Sequence, residues 1–254
     1  MKVTFLGTGT STGVPEIGCP CAVCTSDDPR DHRLRVSALV EVGDARILID
    51  CGPDFREQML RVPFDHIDGV LLTHEHYDHT GGIDDLRPFC RFGDIDIFAD
   101  DLTCTHLRER LPYFFREVLY PGVPRLNFHT IEPLSPVSVR GVEVMPLQIM
   151  HGKLPILGYR IGRLGFVTDM LTAPEATLQA LQGVDTLIIN GLRPKPHGSH
   201  QTIEDAIAVA HRVGARETYL IHMSHHAGLH AVTDAQLPPH IHLAYDGLVI
   251  ECKD

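Results

Sequence analysis

The stretch THEHYDHTGG constrains this chain more than any other feature. It overlaps the end of GVLLTH, residues 69–74, a continuous apolar run of the kind found in strands that are buried on both faces. His74 and His76 lie two positions apart at the end of this predicted strand, so their side chains point to the same side. Asp78 and His79 follow where the chain turns. Four such side chains would be costly to bury without partners, and their spacing suits two metal ions that share a bridging water.

Strand-like and helix-like segments alternate along the rest of the chain. Strands are predicted at residues 1–7, 94–99, 157–162, 163–169, 185–190, 217–223 and 242–253, the last as a strand pair or bent strand turning at Asp246–Gly247. Hairpins are predicted at residues 37–42 with 45–52, around Gly43–Asp44, and at residues 137–149, with Arg140–Gly141 near the turn. Helices are predicted at residues 54–62, 83–89, 174–182 and 202–214. Two β-rich halves, each with helices, predict an α/β (α+β) fold with two sheets packed face to face and helices outside.

A single domain over residues 1–254 is expected, since no Ser/Pro-rich linker separates the halves. Residues 101–125 are helix-like but are interrupted by three prolines, Pro112, Pro121 and Pro124. This stretch is either a helical cap over the site or a connecting helix and loop.

Composition narrows the function classes. Acidic residues outnumber basic ones 33 to 22, for a formal net charge of −11. A protein that binds nucleic-acid phosphates normally carries a basic face, so a DNA or RNA partner is disfavoured. Histidine occurs 17 times, and imidazole is the commonest metal ligand. No apolar run approaches the ~18 residues of a membrane span, and MKVTFLGTGT reaches Gly and Thr before a signal sequence could form, so we expect a soluble, cytoplasmic protein.

A second constellation is GCPCAVC, which places Cys19, Cys21 and Cys24 within six residues. This spacing is too tight for a disulfide framework. Three thiolates can hold one Zn²⁺, and a tetrahedral structural site needs a fourth ligand. A thiol redox motif and plain buried cysteines are the alternatives.

The histidine-rich stretch resembles the signature of the metallo-β-lactamase superfamily, whose fold is a four-layer αββα sandwich. The resemblance implies further ligands downstream, and His151, Asp169 and His222 each end a predicted strand. Taken singly, each could instead be a hydrogen-bonded core residue. On the family pattern, the first metal would take His74, His76 and His151, and the second would take Asp78, His79 and His222, with Asp169 bridging the two. Hydrolases of phosphodiesters and thioesters share such an all-His/Asp set.

The cysteine element follows the loop LGTGTSTGVP, and MSH follows the last metal histidine. This combination is similar to that of the phosphoribosyl 1,2-cyclic phosphate phosphodiesterases, and the similarity spans nearly the whole chain. It implies His225 as the fourth ligand of a structural Zn²⁺, with His226 as the competing neighbour. The glycine spacing of the loop does not fit a dinucleotide-binding fingerprint, and no helix follows the loop as that fingerprint requires. We expect these glycines to let the backbone approach a substrate.

The segment RPKPHGSHQTIEDA supplies the remaining candidates. Arg193 and Lys195 suit the binding of a terminal phosphate. His200 precedes a helix start, as does a histidine of that phosphodiesterase family, where it helps to handle the phosphate or the leaving oxygen. His197 could take that role instead. A polar loop with solvated charges is the alternative for the whole segment.

These observations predict a metal-dependent phosphodiesterase acting on a small phosphodiester, and the resemblance implies that this substrate is a cyclic ribose phosphate. Two divalent ions, Zn²⁺ or Mn²⁺, would serve catalysis and one structural Zn²⁺ would serve stability. Asp78 would help to orient the nucleophile, and His200 would protonate the departing oxygen. The alternatives are tRNA 3′ processing, which requires an RNA-gripping arm, a glyoxalase-type thioesterase, and a metal-binding or partner-binding protein without catalysis. The expected partner is the substrate, with no membrane, and a homodimer is left open.

Overall fold

Two mixed β-sheets form the centre of the computed structural model, which describes residues 1–116 and 122–253. Strands are numbered in chain order. The first sheet has the spatial order β14 (Val249–Glu251), β1 (Lys2–Gly7), β2 (Ser37–Val42), β3 (Ala45–Ile49), β4 (Gly69–Leu71), β5 (Ile95–Ala99), β6 (Leu126–Thr130). The second has the order β13 (Ile241–Leu243), β12 (Glu217–Ile221), β11 (Thr186–Asn190), β10 (Leu164–Val167), β9 (Leu154–Ile161), β8 (Val142–His151), β7 (Val137–Val139).

Helices cover the outer faces of the two sheets. The α-helices are α1 (Phe55–Met59), α2 (Tyr77–Thr80), α3 (Asp101–Arg110), α4 (Glu175–Leu181), α5 (Ile203–Val213) and α6 (His230–Asp234). Short 3₁₀ helices occupy Pro29–Asp31, Ile83–Arg91, Pro112–Phe115 and His225–Ala227. Within the ranges that the structure describes, no helix has both the length and the apolar character needed to cross a bilayer.

Side-chain alternation along the strands produces three apolar layers. In β3, Ile47 and Ile49 enter the cluster between the sheets, whereas Leu48 joins the cluster beneath α1 and α3. In β11, Ile188 faces the inner cluster and Leu187 packs with the residues of α4 and α5. Because successive side chains of a strand point to opposite faces, each central strand is buried on both sides. The predicted four-layer αββα sandwich is confirmed.

Two predictions about individual strands were wrong in detail. The C-terminal segment does not form a strand pair: β13 pairs with β12 in the second sheet, whereas β14 pairs with β1 in the first. The segment therefore crosses from one sheet to the other between residues 243 and 249. Strand β6 was not anticipated, because it is a short edge strand whose only apolar residues are Leu126 and Phe128, both partly buried.

The stretch predicted as a cap or connector, residues 101–125, begins with α3. Leu107 and Phe114 pack into the outer cluster of the first sheet. Residues 117–121 of the stretch lie outside the described residues. The cap stays a prediction, although α3 itself reaches the histidine-rich loop, as described below.

The arrangement of parallel strands determines where functional residues gather. Strands β3 to β6 run parallel to one another, and so do β10 to β13. The carboxyl ends of parallel strands meet at one edge of a sheet, where α/β proteins usually bind ligands. Gly9 bridges to both Arg35 and Met223, so the glycine loop joins the two sheets at this edge. A Cβ on Gly7 would lie 2.0 Å from the Arg35 carbonyl oxygen. The close approach that this glycine permits is therefore to the chain's own backbone.

Candidate metal centre

Three polar residues of the site follow directly on buried parallel strands. Asp50 comes after β3, Asp169 comes shortly after β10, and His222 comes directly after β12. Their φ angles are 59°, 57° and 55° respectively, in the left-handed region that non-glycine residues rarely adopt. Strain of this kind costs on the order of 1–3 kcal/mol per residue and is concentrated at functional sites. Both sheets thus contribute strained strand ends to one site.

The first group of candidate ligands consists of His74, His76 and His151, each with a ring nitrogen within 4.8 Å of the others. His74 Nε2 lies 2.9 Å from His76 Nδ1. His151 Nδ1 donates to the carbonyl oxygens of Asp169, at 2.9 Å, and of Ser199, at 3.0 Å. Since a carbonyl oxygen can only accept, the proton of His151 is on Nδ1. Its Nε2 is therefore the atom that can coordinate a metal.

The second group consists of four buried residues, Asp78, His79, Asp169 and His222. His79 Nε2 lies 3.2 Å from Asp78 Oδ2 and 3.4 Å from Asp169 Oδ1. His222 Nε2 lies 3.2 Å from Asp169 Oδ2 and 3.7 Å from Asp78 Oδ2. A carboxylate oxygen of Asp169 also comes within 4.8 Å of a His151 nitrogen. Asp169 thus lies between the two groups, where a bridging residue is expected.

Unsatisfied nitrogen atoms provide the test of whether these residues fit a metal. Among the described residues, the buried Nε2 atoms of His79 and His222 make no hydrogen bond, although carboxylate oxygens lie nearby. Buried polar atoms without hydrogen bonds are rare in folded proteins, and a missing ion is one explanation. Imidazole nitrogens and carboxylates that converge on one point are the donors that divalent transition metals prefer. The residues fit a dinuclear metal site.

The electrostatics of the second group also favour a cation. Burial alone would raise the pKa of Asp169, but the rings of His222 and His79 lower it well below its usual range. Burial alone would lower the pKa of His79, but Asp78, Asp169 and Asp50 raise it well above its usual value. Three buried carboxylates therefore surround a single imidazole. This environment stabilises positive charge at the point where a metal would lie.

Asp50 is a residue that the sequence analysis missed. It is fully buried, and its Oδ2 lies 2.7 Å from His79 Nδ1. Its Oδ1 accepts the backbone N–H of Thr73 at 2.8 Å. A carboxylate that holds the Nδ1 proton of a histidine fixes the ring orientation and leaves Nε2 for a metal. The sequence signal that could have identified Asp50 is its position at the end of the apolar run ILI, directly before Cys51 and Gly52.

His200 lies beside both groups. Its ring is buried and stacks on that of His222, with centroids 4.8 Å apart, and its Nδ1 lies 3.8 Å from Asp169 Oδ2 without a hydrogen bond. Burial and the neighbouring His222 lower the pKa of His200 to about 3. Gln201 anchors this position, because its backbone N–H donates to the Met170 carbonyl at 2.9 Å. His200 forms a third possible ligand group with His151 and Asp169. That group is not an independent third site, since His151 already belongs to the first group and Asp169 to the second.

The other predicted substrate-binding residues lie on an exposed loop. Arg193 Nε and Nη2 donate to the carbonyl oxygens of Lys195 and Pro196, at 3.2 and 3.1 Å. Arg193, Lys195 and His226 line an open cavity of about 420 Å³. His197 is exposed, and its ring centroid lies 5.1 Å from that of His200. His197 therefore adjoins the metal groups, whereas the two cations face the outer cavity.

The cysteine element and His225 come together in a separate group. Atoms of Cys19, Cys21, Cys24 and His225 lie within 4.8 Å of one another. Cys24 Sγ is 3.3 Å from His225 Nδ1, and no disulfide forms among the three thiols. The Cys24 backbone N–H lowers the pKa of Cys21, whereas burial raises the pKa of Cys24 to about 11. The structure thus places His225 in the group, and the competing His226 lies outside this four-residue set.

A four-residue segment, 222–225, connects the cysteine group to the dinuclear groups. Met223 N–H donates to the Thr8 carbonyl at 3.1 Å, and Ser224 N–H donates to the Leu192 carbonyl at 3.1 Å. The segment is therefore fixed between its two candidate ligands by the glycine loop on one side and by the Arg193 loop on the other.

The chain is similar to several known proteins. Residues 45–223 match a family described as the beta-lactamase superfamily domain. A solved structure described as a new diphosphatase from the PhnP family is 38% identical, with a TM-score of 0.92, and the match covers 99% of this chain and 98% of that chain. A coenzyme PQQ synthesis protein B from Methylobacterium nodulans is 32% identical over 219 residues, which are 75% of this chain and 73% of that protein.

A further relative, from Porphyromonas gingivalis, is named octanoyltransferase. It is 51% identical over 251 residues, which are 98% of this chain but 51% of that protein. The chain therefore spans about half the length of this relative, whose name belongs to a protein about twice as long.

Proposed function

The chain belongs to the metallo-β-lactamase superfamily, in which it is PhnP-like, and from this premise we propose that it is a metal-dependent phosphodiesterase of small phosphodiesters, acting on a cyclic ribose phosphate. The 38% identical structure is described as a diphosphatase, which is a hydrolase, and the fold of the superfamily implies divalent metals. The observation that supports the proposal is the pair of adjacent ligand groups around Asp169, with the unsatisfied nitrogens of His79 and His222 directed at one point.

The residues would divide between two ions as the geometry groups them. His74, His76 and His151 would hold the first, and Asp78, His79 and His222 the second, with Asp169 between them. The donor set suits Zn²⁺ or Mn²⁺. When bound, two such ions supply an activated water as nucleophile and neutralise the charge that builds on phosphate oxygens.

The remaining steps fall to side chains of this chain. Asp78 would help to orient the nucleophile, because its carboxylate lies at the centre of the second group. His200 would donate a proton to the departing sugar oxygen, since its ring lies against His222 and Asp169 at the edge of the site. Its pKa of about 3 has to rise for this role, and the negative charge of a bound phosphodiester beside the ring would raise it. His197, beside His200, would contact the substrate, and Arg193 and Lys195 would bind a terminal phosphate at the mouth of the outer cavity.

The cysteine group would bind a structural Zn²⁺. Three thiols and one imidazole form the Cys₃His set that is typical of closed, four-coordinate zinc sites. The ion would stabilise the segment 222–225 and thus the position of His222.

Diphosphates are a second candidate substrate class. They are favoured by the 38% identical structure described as a diphosphatase. The two substrates differ in the leaving group, which is an alkoxide in a ribose phosphodiester and a phosphate in a diphosphate. Protonation by His200 matters less for a phosphate, which leaves readily.

Acyl transfer has less support, despite the name of the Porphyromonas gingivalis relative. The site described here offers imidazoles and carboxylates, which are metal ligands. Cys51, the cysteine closest to it in sequence, is fully buried. A tRNA 3′-processing activity also has less support, because it requires tRNA binding, which the net charge of −11 disfavours.

The test combines metal analysis with a substrate panel. Protein purified without chelator should contain close to three metal ions per chain by elemental analysis. The panel comprises bis(p-nitrophenyl) phosphate, a ribose cyclic phosphate, a nucleoside diphosphate derivative, a pre-tRNA and an octanoyl donor, each with Asp169→Asn as the inactive control. Hydrolysis of the cyclic phosphate above the others supports the proposal. One metal ion per chain, or cleavage that Asp169→Asn retains, contradicts it.

A further inference from the structure

Helix α3 contacts the histidine-rich loop through two side chains that were not among the candidates predicted from the sequence. Arg110 is the last residue of α3, and His106 lies one turn earlier on the same helix. Arg110 Nη1 donates to the Glu75 carbonyl at 3.4 Å, and Nη2 donates to the Thr80 carbonyl at 3.3 Å and to Thr80 Oγ1 at 2.6 Å. His106 forms an ion pair with the Glu75 carboxylate.

These contacts hold both ends of the loop that carries three candidate ligands. Glu75 and Thr80 flank the segment 76–79, which contains His76, Asp78 and His79. Thr80 Oγ1 donates in turn to the carbonyl oxygens of Glu75, at 3.1 Å, and of His76, at 2.8 Å. Because a hydroxyl has one proton and a guanidinium can only donate, Arg110 fixes the direction in which the Thr80 proton points.

His76 depends on this chain of hydrogen bonds more than its neighbours do. It is exposed, whereas Asp78, His79, Asp169 and His222 are buried. His79 has its own anchors, since its Nδ1 contacts Asp50 and its carbonyl accepts the Cys51 N–H at 2.8 Å. The His76 carbonyl accepts the Thr80 hydroxyl at 2.8 Å and the His79 N–H at 3.0 Å, so the Thr80 hydroxyl is the side-chain contact that positions the His76 backbone.

We propose that Arg110 is a positioning residue for the first metal, acting through Thr80 on His76. The inference rests on the proposed function, because it requires that His74, His76 and His151 bind an ion. Residues that orient metal ligands typically change metal affinity by about 10–100-fold. Loss of Arg110 therefore weakens the first ion by about tenfold or more, while the second ion, held by buried ligands, changes little.

The experiment is a titration of the metal-depleted chain, residues 1–254, with Mn²⁺ alone. Binding is followed by the electron paramagnetic resonance signal of the free ion. Mn²⁺ prefers nitrogen and oxygen donors, so the thiolate group contributes little. The variants are Arg110→Ala, Arg110→Lys and Thr80→Val. Arg108→Ala is the matched control, since Arg108 lies on the same helix with its guanidinium over the ring of Phe115. His76→Ala identifies which binding step belongs to the first ion.

The expected result is a selective loss. Arg110→Ala and Thr80→Val weaken the same step as His76→Ala by about tenfold or more, and the double variant Arg110→Ala/Thr80→Val is no worse than the stronger single one. Arg110→Lys restores part of the affinity, because an ammonium can donate to Thr80 Oγ1 but cannot span both carbonyls. Arg108→Ala binds as the wild type does.

Three results would overturn the inference. The first is that Arg110→Ala binds both ions with wild-type affinity. The second is that the effects of Arg110→Ala and Thr80→Val on affinity are additive. The third is that both binding steps weaken equally and the melting temperature of the metal-free protein falls as well. The last result would assign Arg110 to general stability. Fewer than two Mn²⁺ bound to the wild type is a separate outcome, which contradicts the proposed function itself and is evident before any variant is compared.

Discussion

Asp50 offers the sharpest test of how this site selects a metal. Its carboxylate accepts the backbone N–H of Thr73 through Oδ1 and the Nδ1 proton of His79 through Oδ2, at 2.8 and 2.7 Å. In Asp50→Asn, the amide oxygen must stay on the Thr73 side to keep the backbone hydrogen bond. The amide NH₂ then faces His79 Nδ1, which has to accept. The ring proton of His79 moves to Nε2, the atom that faces Asp78 and Asp169.

The magnitude follows from this change of tautomer. A hydrogen bond to a charged group is worth about 1.5–3 kcal/mol, and about 1.4 kcal/mol corresponds to a factor of ten. The second ion should therefore bind about 10–150-fold more weakly to Asp50→Asn. The first ion should be much less affected, since His74, His76 and His151 form a separate group.

The assay is a competition titration against a chromophoric chelator, with unfolding of the metal-free protein as a check on the fold. Asp96→Asn is the matched control, because Asp96 Oδ1 lies 3.0 Å from His129 Nε2 in an exposed aspartate–histidine pair. Wild-type affinity for the second ion in Asp50→Asn would refute the tautomer argument. So would an equal loss in Asp96→Asn.

Three further predictions follow. Cys21→Ser should lower the melting temperature, because structural zinc contributes folding free energy directly. Asp169→Asn should instead abolish turnover while its circular dichroism spectrum shows that the fold is kept. A Cys21→Ser variant that melts normally but is inactive would mean that the cysteine group is catalytic and not structural. His200→Ala should slow a sugar or alkyl phosphodiester by ~10²–10⁴-fold but scarcely slow a p-nitrophenyl ester, and equal losses would exclude a role as acid. Burial raises the pKa of Asp246 to about 6. Between about pH 4 and pH 6, its carboxyl therefore keeps in the folded protein a proton that it has lost in the unfolded chain. The free energy of unfolding of the wild type should fall as the pH rises through that range. The free energy of unfolding of Asp246→Asn relative to wild type, from urea titrations, should therefore rise over that range, and a constant difference would contradict this.

The structure brings together the candidate ligands that were predicted from the sequence, and two of them have local signals. His74 and His76 are two positions apart at the end of an apolar run, and the period of a strand determines that both face one way. Asp169 and His222 follow the parallel strands β10 and β12, whereas His151 ends β8, which pairs antiparallel with β9. The resemblance to the metallo-β-lactamase signature implied all three as ligands. The family resemblance implied their division into two groups, and the same residues form two groups in the structure.

Contacts between distant segments were harder to predict. Asp50 is 29 residues from His79, and Arg110 is 30 residues from Thr80. Nothing local distinguishes either residue from an ordinary strand end or helix end. The contact of Asp50 with His79 depends on β3 lying beside β4. The contact of Arg110 with Thr80 depends on α3 packing over the same sheet edge.

Strand pairing at the C-terminus failed for a related reason. Residues 242–253 contain two apolar stretches around Asp246–Gly247, which is the pattern of a hairpin. The buried carboxylate of Asp246 instead accepts hydrogen bonds from Thr8 Oγ1, at 2.8 Å, and the Leu34 N–H, at 2.7 Å. These partners direct the chain toward the first sheet, and they lie more than 200 residues earlier in the sequence.

The left-handed backbone at Asp50, Asp169 and His222 has a consequence for how this protein can change over evolution. Glycine would adopt these three conformations without the steric cost that a side chain incurs. Each position therefore combines a preference of the fold for glycine with the requirement of the site for a carboxylate or an imidazole. Selection for stability alone would remove these side chains, whereas selection for a bound ion would keep them. A descendant that lost its chemistry would be free to relax at these strand ends first, and glycine there would be an early mark of an inactive copy.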